Sequence, residues 1–319
     1  MPVFDFADDD LKDILARCQD SDPGIRRVAM AELAEQVEPQ AADMLVTGLR
    51  DADALVREAA AKALDEHSSP AVVHALIEAL DDAQEPVRLA AAESLSDKRE
   101  PDCAPMLVAR AGADNAFTRA ACLRALRVLQ HESAMPVALA ALQGADISVK
   151  REAIAVLGYL KAEAALPALM GALRDPEASV RRALMAALVF VKSGGPGVEP
   201  LIAGLKDEHW LVREEAAASA GKAKLTETAP DLIAVLEDTT WQVRAKAINA
   251  LGKLKSIQAV PAISLNLATG NSNIRKEAAA ALGEIASAEA VPALQAAYND
   301  NDPDVRKLVR WALERCQAA

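Results

Sequence analysis

The chain is poor in aromatic residues and in long apolar runs. Aromatic residues make up only 3% of its 319 residues although 52% are hydrophobic, so any core must consist mainly of Ala, Leu and Val. No apolar run approaches the roughly 18 residues that span a bilayer. The acidic N-terminus lacks the basic start and apolar centre of a signal peptide. We therefore expect a cytoplasmic protein with no membrane partner.

Cysteine and catalytic motifs are equally scarce. The four cysteines, Cys18, Cys103, Cys122 and Cys316, form no Cys-x-x-Cys pair, a pattern typical of a reduced cytosolic protein without disulfides or structural zinc. There is no nucleophile elbow, and the glycine-rich segment 194–197 lacks the Gly-x-x-x-x-Gly-Lys-Ser/Thr pattern of a phosphate-binding loop. We expect no catalytic residue, no metal and no cofactor, and interpret segment 194–197 as a flexible turn. An enzyme is the weaker class of function.

Basic residues are also in deficit, which leaves a net charge of −12. General nucleic-acid binding draws its affinity from phosphate neutralisation, so we expect no nucleic-acid partner. The charge is uneven, because residues 1–60 have a net charge of −8 and residues 119–192 a net charge of +4. The acidic run at Asp8–Asp10 is typical of a solvated terminal cap, with a docking surface for a basic partner as the alternative.

What the chain does have is one unit repeated ten times. Val or Ile followed by Arg or Lys recurs every 31 residues, with a single step of 32 between Arg181 and Arg213, and Thr118-Arg119 fills the remaining slot. A fixed period of this length indicates stacked structural repeats. The dipeptides are Ile25-Arg26, Val56-Arg57, Val87-Arg88, Val149-Lys150, Val180-Arg181, Val212-Arg213, Val243-Arg244, Ile274-Arg275 and Val305-Arg306.

Each unit reads as an antiparallel pair of helices, A then B. Counting from the Val or Ile as position 0, apolar residues fill positions 0, 4, 8 and 11 of helix B in almost every unit, as in Ile274, Ala278, Leu282 and Ile285. That spacing is the buried stripe of a helix. The sequence predicts an all-α fold, a right-handed α-solenoid over residues 1–319. Its repeats are predicted at 8–37, 38–68, 69–99, 100–130, 131–161, 162–193, 194–224, 225–255, 256–286 and 287–317.

An Asp recurs five residues before the Val or Ile in seven units, in the turn between the helices. It can cap helix B, and the recurring Arg can bond to that turn or to the neighbouring unit's Asp. A phosphate-binding stripe is the alternative for the arginines, but matching aspartates are what a nucleic-acid surface would avoid. We therefore interpret the pattern as a ladder of Asp–Arg pairs that holds the units together.

The motifs of this unit resemble the HEAT-like repeats of phycobilisome-lyase type over about residues 8–317. The resemblance is carried by Asp300–Arg306, Asp175–Arg181, Ala279–Gly283 and Val260–Ile263. It implies an α-solenoid, in a superfamily that includes bilin lyase subunits, deoxyhypusine hydroxylase and many binding scaffolds.

A di-iron site such as that of deoxyhypusine hydroxylase is not expected. It needs several His-Glu dyads, and only His131-Glu132 has that order among the four histidines. We interpret all four histidines, His67, His74, His131 and His209, as surface or turn residues.

Departures from the repeat indicate where a partner could bind. In HEAT-type solenoids the B helices line the concave face, and positions 2, 3, 6 and 10 of helix B face away from the buried stripe. In units four to six these positions predict one apolar and cationic patch, since aromatic residues and Arg are enriched in binding hot spots. The alternative is that the aromatic rings fill gaps between helices. The patch residues are Arg124, Val128, Arg151, Tyr159, Arg182 and Phe190.

A second candidate site is the pair Trp210 and Trp241, each two residues before the Val of its unit. Other units place smaller residues in this slot, so packing does not demand a large ring there, and His209 adjoins the pair. The sequence thus predicts a monomeric protein-interaction scaffold that binds one or more proteins in the groove of units four to seven. The alternatives are a bilin lyase-like subunit and an accessory factor for the assembly of a metal or cofactor protein.

Overall fold

The computed structural model describes the backbone of residues 6–318 and the side chains of residues 11–318. The acidic run at Asp8–Asp10 therefore lies outside the described side chains. Within the described residues all regular structure is helical, as predicted. The α-helices are α1 Phe6–Arg17, α2 Pro23–Leu33, α3 Pro39–Gly48, α4 Ala54–Ala63, α5 Pro70–Ala79, α6 Glu85–Ser96, α7 Ala104–Ala111, α8 Ala116–Leu129, α9 Ala134–Ala141, α10 Ile147–Tyr159, α11 Leu166–Leu169, α12 Ala178–Ala187, α13 Val198–Gly204, α14 Trp210–Ala223, α15 Ala229–Val235, α16 Trp241–Lys253, α17 Val260–Thr269, α18 Ser272–Ile285, α19 Val291–Ala296 and α20 Pro303–Gln317.

Short 3-10 turns extend or precede several of these helices. They lie at Leu64–Glu66, Pro101–Cys103, Glu163–Ala165, Met170–Arg174, Leu188–Phe190, Thr226–Thr228, Ile257–Ala259 and Ala288–Ala290.

The helices form about ten stacked pairs, distributed over two compact units. The first unit is Met1–Leu160 and contains α1 to α10; the second is Lys161–Ala319 and contains α11 to α20. Within each unit an odd-numbered A helix pairs with the even-numbered B helix that follows it, and successive B helices pack side by side. The all-α solenoid of helix pairs is thus confirmed. A single continuous solenoid over residues 1–319 stays a prediction.

The core of each pair is the stripe that the periodicity predicts. In α4 and its 3-10 extension, Val56, Ala60 and Leu64 have no solvent exposure, and Val149 and Leu157 of α10 are equally buried. Residues at positions 0, 4 and 8 share one side of a helix, so the stripe faces the neighbouring helices.

Position 11 holds two buried polar side chains that the sequence did not lead us to expect. The Nε2 atom of His67 lies 3.1 Å from the carbonyl oxygen of Leu33, and the Nζ atom of Lys98 donates to the carbonyl oxygen of Leu64 at 2.9 Å. Both partners are carbonyls at the end of the preceding B helix, where each also accepts one backbone N–H group, from Gln36 and His67 respectively. His67 lies in the turn between α4 and α5, one of the two alternatives predicted for it, but it is buried rather than on the surface, and this hydrogen bond satisfies the ring inside the stack.

The recurring Asp does not cap helix B directly. The N-cap lies three residues before the Val or Ile, where Asp53 accepts from the backbone N–H groups of Leu55 and Val56. The recurring Asp lies two residues earlier, and Asp51 accepts from the N–H of Asp53 at 2.8 Å. It stabilises the turn that leads into the cap.

Two features of the glycines shape the second unit. A Cβ atom on Gly221 of α14 would lie 2.8 Å from the Cα of Ala250 in α16, so glycine allows these B helices to approach closely. Gly194, in the glycine-rich turn, has a φ of +72° and donates its N–H to Glu227 Oε1 at 2.6 Å. That turn is therefore tied to the following helix pair.

Candidate functional site

The repeated arginines form the expected ladder of ion pairs. Five of the repeated arginines have an Nε atom that lies 2.6–2.8 Å from a carboxylate oxygen of the Asp in the next repeat. In each pair the Nη1 atom also donates to a backbone carbonyl of its own turn, at 2.8–3.0 Å. The pairs are Arg26–Asp51, Arg57–Asp82, Arg181–Asp207, Arg213–Asp238 and Arg275–Asp300.

The guanidinium groups of these arginines already have hydrogen-bond partners within the protein. Their side chains are only 8–21% exposed and those of the aspartates 8–14%. The hydrogen bond from Arg26 lowers the pKa of the Asp51 carboxyl, and Arg275 does the same for Asp300. Guanidinium groups already bonded on both edges have few donors left for a phosphate, which supports the structural role.

Four of the predicted site residues lie on two B helices of the first unit that pack directly together, α8 and α10. Arg124 donates to Glu152 at 3.0 Å and is therefore paired rather than free. Arg151 is exposed, and Val128 is half-buried. Tyr159 is 55% exposed, too much for a ring that fills a gap between helices.

The structure adds one residue to this group that sequence reasoning missed. The guanidinium carbon of Arg127 lies 5.5 Å from the centre of the Tyr159 ring, a cation–π contact. Arg127 also lies 3.7 Å from Glu152, which thus faces two arginines. Arg127 stands at position 9, which the sequence analysis did not read as surface. Together these residues form an aromatic and cationic cluster at the end of α10.

The remaining predicted residues belong to the second unit. Arg182 is 45% exposed and pairs with Glu215 at 3.2 Å, and Phe190 is half-buried in the 3-10 turn that extends α12. The predicted row from Val128 through Tyr159 to Phe190 involves both units and stays a prediction.

His209 contacts Trp210, one member of the tryptophan pair. The rings of His209 and Trp210 stack with centroids 6.5 Å apart and an angle of 15° between their planes. His209 is also the N-cap of α14, because its Nδ1 atom accepts from the N–H of Leu211 at 3.3 Å. The cap holds the imidazole against Trp210, which is half-buried. Trp241, one unit later, is 38% exposed.

The first unit has a further surface that the sequence analysis did not identify. Val28, Leu55 and Leu89 are 48%, 54% and 52% exposed on three successive B helices. A groove of about 830 Å³ is lined by Val28 and Leu55, and another of about 750 Å³ by Leu89 and Phe117. We call Val28, Leu55, Leu89 and Phe117 the apolar stripe. Adjacent exposed apolar side chains of this kind mark interaction sites.

The described residues contain neither a metal-binding cluster nor a membrane-spanning helix. No group of three or more His, Cys, Asp or Glu side chains within residues 11–318 is placed to hold a metal ion. Among the helices of residues 6–318, none has the length and apolar character that a bilayer span requires.

The chain belongs to the family of HEAT repeats. The family model matches residues 9–96, 74–144, 135–197, 198–270 and 261–317, which together cover almost the whole sequence. The comparison with curated proteins finds no significant match.

Several solved structures share the fold. An engineered protein is 21% identical, with 97% of this chain and 99% of that chain covered and a TM-score of 0.52. YibA of Escherichia coli is 19% identical, with 92% and 97% covered and a TM-score of 0.55. Kap95p in complex with RanGDP is 15% identical with a TM-score of 0.64, and the match covers 97% of this chain and 50% of Kap95p. At these identities the likeness shows the fold alone.

Proposed function

We propose that this protein is an interaction scaffold that binds partner proteins on the exposed faces of its B helices. The observation that carries the proposal is the set of large apolar side chains left about half exposed there, with Tyr159 at 55% and Leu55 at 54%. Desolvating such side chains stabilises a complex, and Tyr and Arg are the residues most often found in hot spots. Kap95p, which shares the fold, binds RanGDP.

Two clusters serve as the proposed contact sites, one in each unit. The first consists of Arg124, Arg127, Val128, Arg151 and Tyr159. The second, in residues 161–319, consists of Arg182, Phe190, His209, Trp210 and Trp241. The first places Arg127 against the Tyr159 ring and the second stacks His209 on Trp210, a combination suited to a protein surface with both apolar and acidic side chains.

The test is affinity capture from the native cells with the full chain, followed by mass spectrometry. The variants Arg151→Glu/Tyr159→Ala and Trp210→Ala/Trp241→Ala each address one cluster. Tyr298→Ala is the matched control, because Tyr298 is also exposed and also lies under an arginine, with Arg310 at 5.3 Å, but follows the A helix α19. We expect the control to recover the same partners as the unmodified chain and at least one cluster variant to lose them. Equal recovery by all variants would contradict the proposal.

A bilin lyase-like role is the second proposal, and it is supported by the repeat motif at Asp300–Arg306. Such a subunit would bind a tetrapyrrole or the protein that carries it. Mixing the purified chain with free bilin and recording the absorbance spectrum tests this role. An unchanged spectrum at saturating protein would remove it.

A further inference from the structure

We propose that the first unit binds a cationic amphipathic helix, which lies across its B helices with its apolar side on the apolar stripe. The inference rests on the proposed scaffold function, since it names the chemistry of one partner. It is carried by the apolar stripe together with a row of carboxylates beside it.

The carboxylates occur at position 10, close to the C-terminal end of three successive B helices. They are Glu35, Glu66 and Asp97, spaced 31 residues apart, and we call them the acidic row. Glu35 lines the same groove as Val28 and Leu55. Glu66 ends the 3-10 turn that extends α4, and Asp97 is the C-cap of α6. The acidic row therefore runs along the stripe, about two to three helical turns away from it.

No salt bridge among the described side chains pairs this row, although Lys98 interacts electrostatically with Glu66 and Asp97, and Arg17, Arg27 and Lys62 line the groove that Glu35 shares. All three side chains are exposed, and none forms an ion pair within residues 11–318. The nearby cation, Lys98, is buried and directs its Nζ atom to the carbonyl oxygens of Leu64 and Asp65 instead. Burial lowers the pKa of Lys98, and the nearby carboxylates, Glu66 and Asp97 among them, partly oppose that shift.

Position 10, near the C-terminal end of helix B, is electrostatically unfavourable for a carboxylate. The C-terminal end of a helix carries partial negative charge, which favours Lys or Arg there and opposes Asp or Glu. In the second unit the same position holds a cation in three B helices, Lys222 of α14, Lys253 of α16 and Arg315 of α20, and a carboxylate in one, Glu284 of α18. The first three repeats instead place a carboxylate at this position, which lowers the stability of the chain. Binding of a cationic partner would offset that cost.

The charge of the whole unit has the same sign. Residues 1–160 contain 28 acidic and 16 basic residues, whereas residues 161–319 contain 19 of each. The first unit therefore accounts for the entire net charge of −12. A field of this sign speeds the association of a cationic partner and opposes an acidic one.

The spacing points to a helix as the occupant. Neighbouring packed helices lie roughly 10 Å apart, and a helix advances about 10.5 Å in seven residues. Apolar side chains that recur every seven residues of the partner would therefore meet successive members of the stripe. Lys or Arg at the same interval on the adjoining side would face the acidic row. Two grooves of about 830 and 750 Å³ give room for such side chains.

The experiment uses the full chain and a synthetic, dye-labelled peptide of roughly 21 residues with Leu and Lys placed at this spacing. Fluorescence anisotropy measures binding, and far-UV circular dichroism reports the helicity of the peptide. A scrambled peptide of the same composition and a peptide with Glu in place of Lys are the peptide controls. We expect the amphipathic cationic peptide alone to bind with high affinity, to gain helicity and to weaken as NaCl rises from about 0.05 to 0.5 M.

Two variants of the chain test the two halves of the surface. Glu35→Gln/Glu66→Gln/Asp97→Asn removes the acidic row, and we expect binding to weaken about tenfold and to lose most of its salt dependence. Leu55→Ser/Leu89→Ser should also weaken binding about tenfold but keep the salt dependence. The matched control, Asp43→Asn/Asp102→Asn/Asp114→Asn, makes the same change in charge at exposed carboxylates outside the B helices, and we expect less than about a twofold effect.

Equal weakening by the charge-matched control, or equal binding of the scrambled peptide, would overturn the inference, because both would indicate non-specific attraction. Binding without a gain of helicity would overturn the helical occupant. These outcomes concern defined peptides and leave cellular partner capture unaffected, so the failure of this inference and the failure of the scaffold function are distinguishable.

Discussion

The Asp–Arg ladder makes a quantitative prediction at Arg213. Substitution by Met keeps the aliphatic stem and removes four hydrogen bonds, two to the carboxylate of Asp238 at 2.6 and 3.0 Å and two to the carbonyl oxygens of Asp207 and Glu208 at 2.8 and 3.0 Å. The pair is little exposed, at 16% for Arg213 and 8% for Asp238, so water replaces the lost bonds poorly.

The expected cost follows from the two kinds of bond. A hydrogen bond to a carbonyl contributes about 1 kcal/mol net, and breaking a largely buried charge pair costs about 3 kcal/mol because the remaining carboxylate loses its partner. We therefore expect Arg213→Met to lower the free energy of unfolding by about 4–5 kcal/mol.

Arg244, which occupies the same position in the next repeat, provides a comparison for Arg213. Arg244 donates to the carbonyl oxygens of Asp238 and Thr239, but the following repeat has Thr269 where seven other repeats have Asp. Arg244→Met should therefore cost only about 1–2 kcal/mol. Arg182→Met, which breaks the exposed pair with Glu215, should cost about 0.5 kcal/mol.

Urea unfolding of the three variants, followed by circular dichroism, measures these values. The cycle of Arg213→Met with Asp238→Asn isolates the pair itself, because Asn keeps the oxygen that accepts from Thr240. If Arg244→Met costs as much as Arg213→Met, the carboxylate contributes nothing between units, and the reasoning about the ladder is refuted.

Three further predictions follow from the same structure. Gly221→Ala should destabilise the chain by about 1–3 kcal/mol because its Cβ would meet Ala250, whereas Gly171→Ala, with open space around it, should be neutral within about 1 kcal/mol in the same urea assay. Asp51 and Asp300 have pKa values below the ordinary 3.8, so their stabilisation is present above that value and is lost as the pH falls through the folded-state pKa; Arg26→Met/Arg275→Met should flatten the pH dependence of unfolding below about pH 5. Burial raises the pKa of the Cys122 thiol to about 12 and that of Cys18 to about 11, so a thiol reagent at pH 8 should label all four cysteines only on unfolding, and rapid labelling of the native chain would contradict this.

The fold was predictable because its causes are repeated. A stripe such as Val149, Ala153 and Leu157 and an Asp–Arg pair recur in register, so weak local signals add up over ten units. The buried His67 and Lys98 could not be predicted in this way. Each is satisfied by a carbonyl of the preceding unit, and a single sequence does not show which backbone atoms reach a side chain across a helix interface.

The candidate surface was harder to predict because its members occupy different positions in their units. Leu55 and Phe117 stand one residue before position 0, Leu89 at position 2 and Val28 at position 3. A search that compares one position across all units does not group them. They come together only because adjacent B helices pack side by side. Tyr159 was found from its position, whereas its partner Arg127 needed the structure.

The Asp–Arg ladder is interrupted at the fourth repeat, where a different contact joins neighbouring repeats. Ala113 stands where the Asp would face Arg88, and Arg88 bonds only to carbonyls of its own turn. A substitute contact joins the same two units, because Thr118 donates to Asp81 at 2.8 Å and Arg110 pairs with the same carboxylate. Unit four therefore stays attached without the standard pair. Thr118 makes this contact from the buried side of α8, so the contact does not involve Phe117, Arg124 or Arg127, and these three residues belong to the two proposed binding surfaces of the first unit.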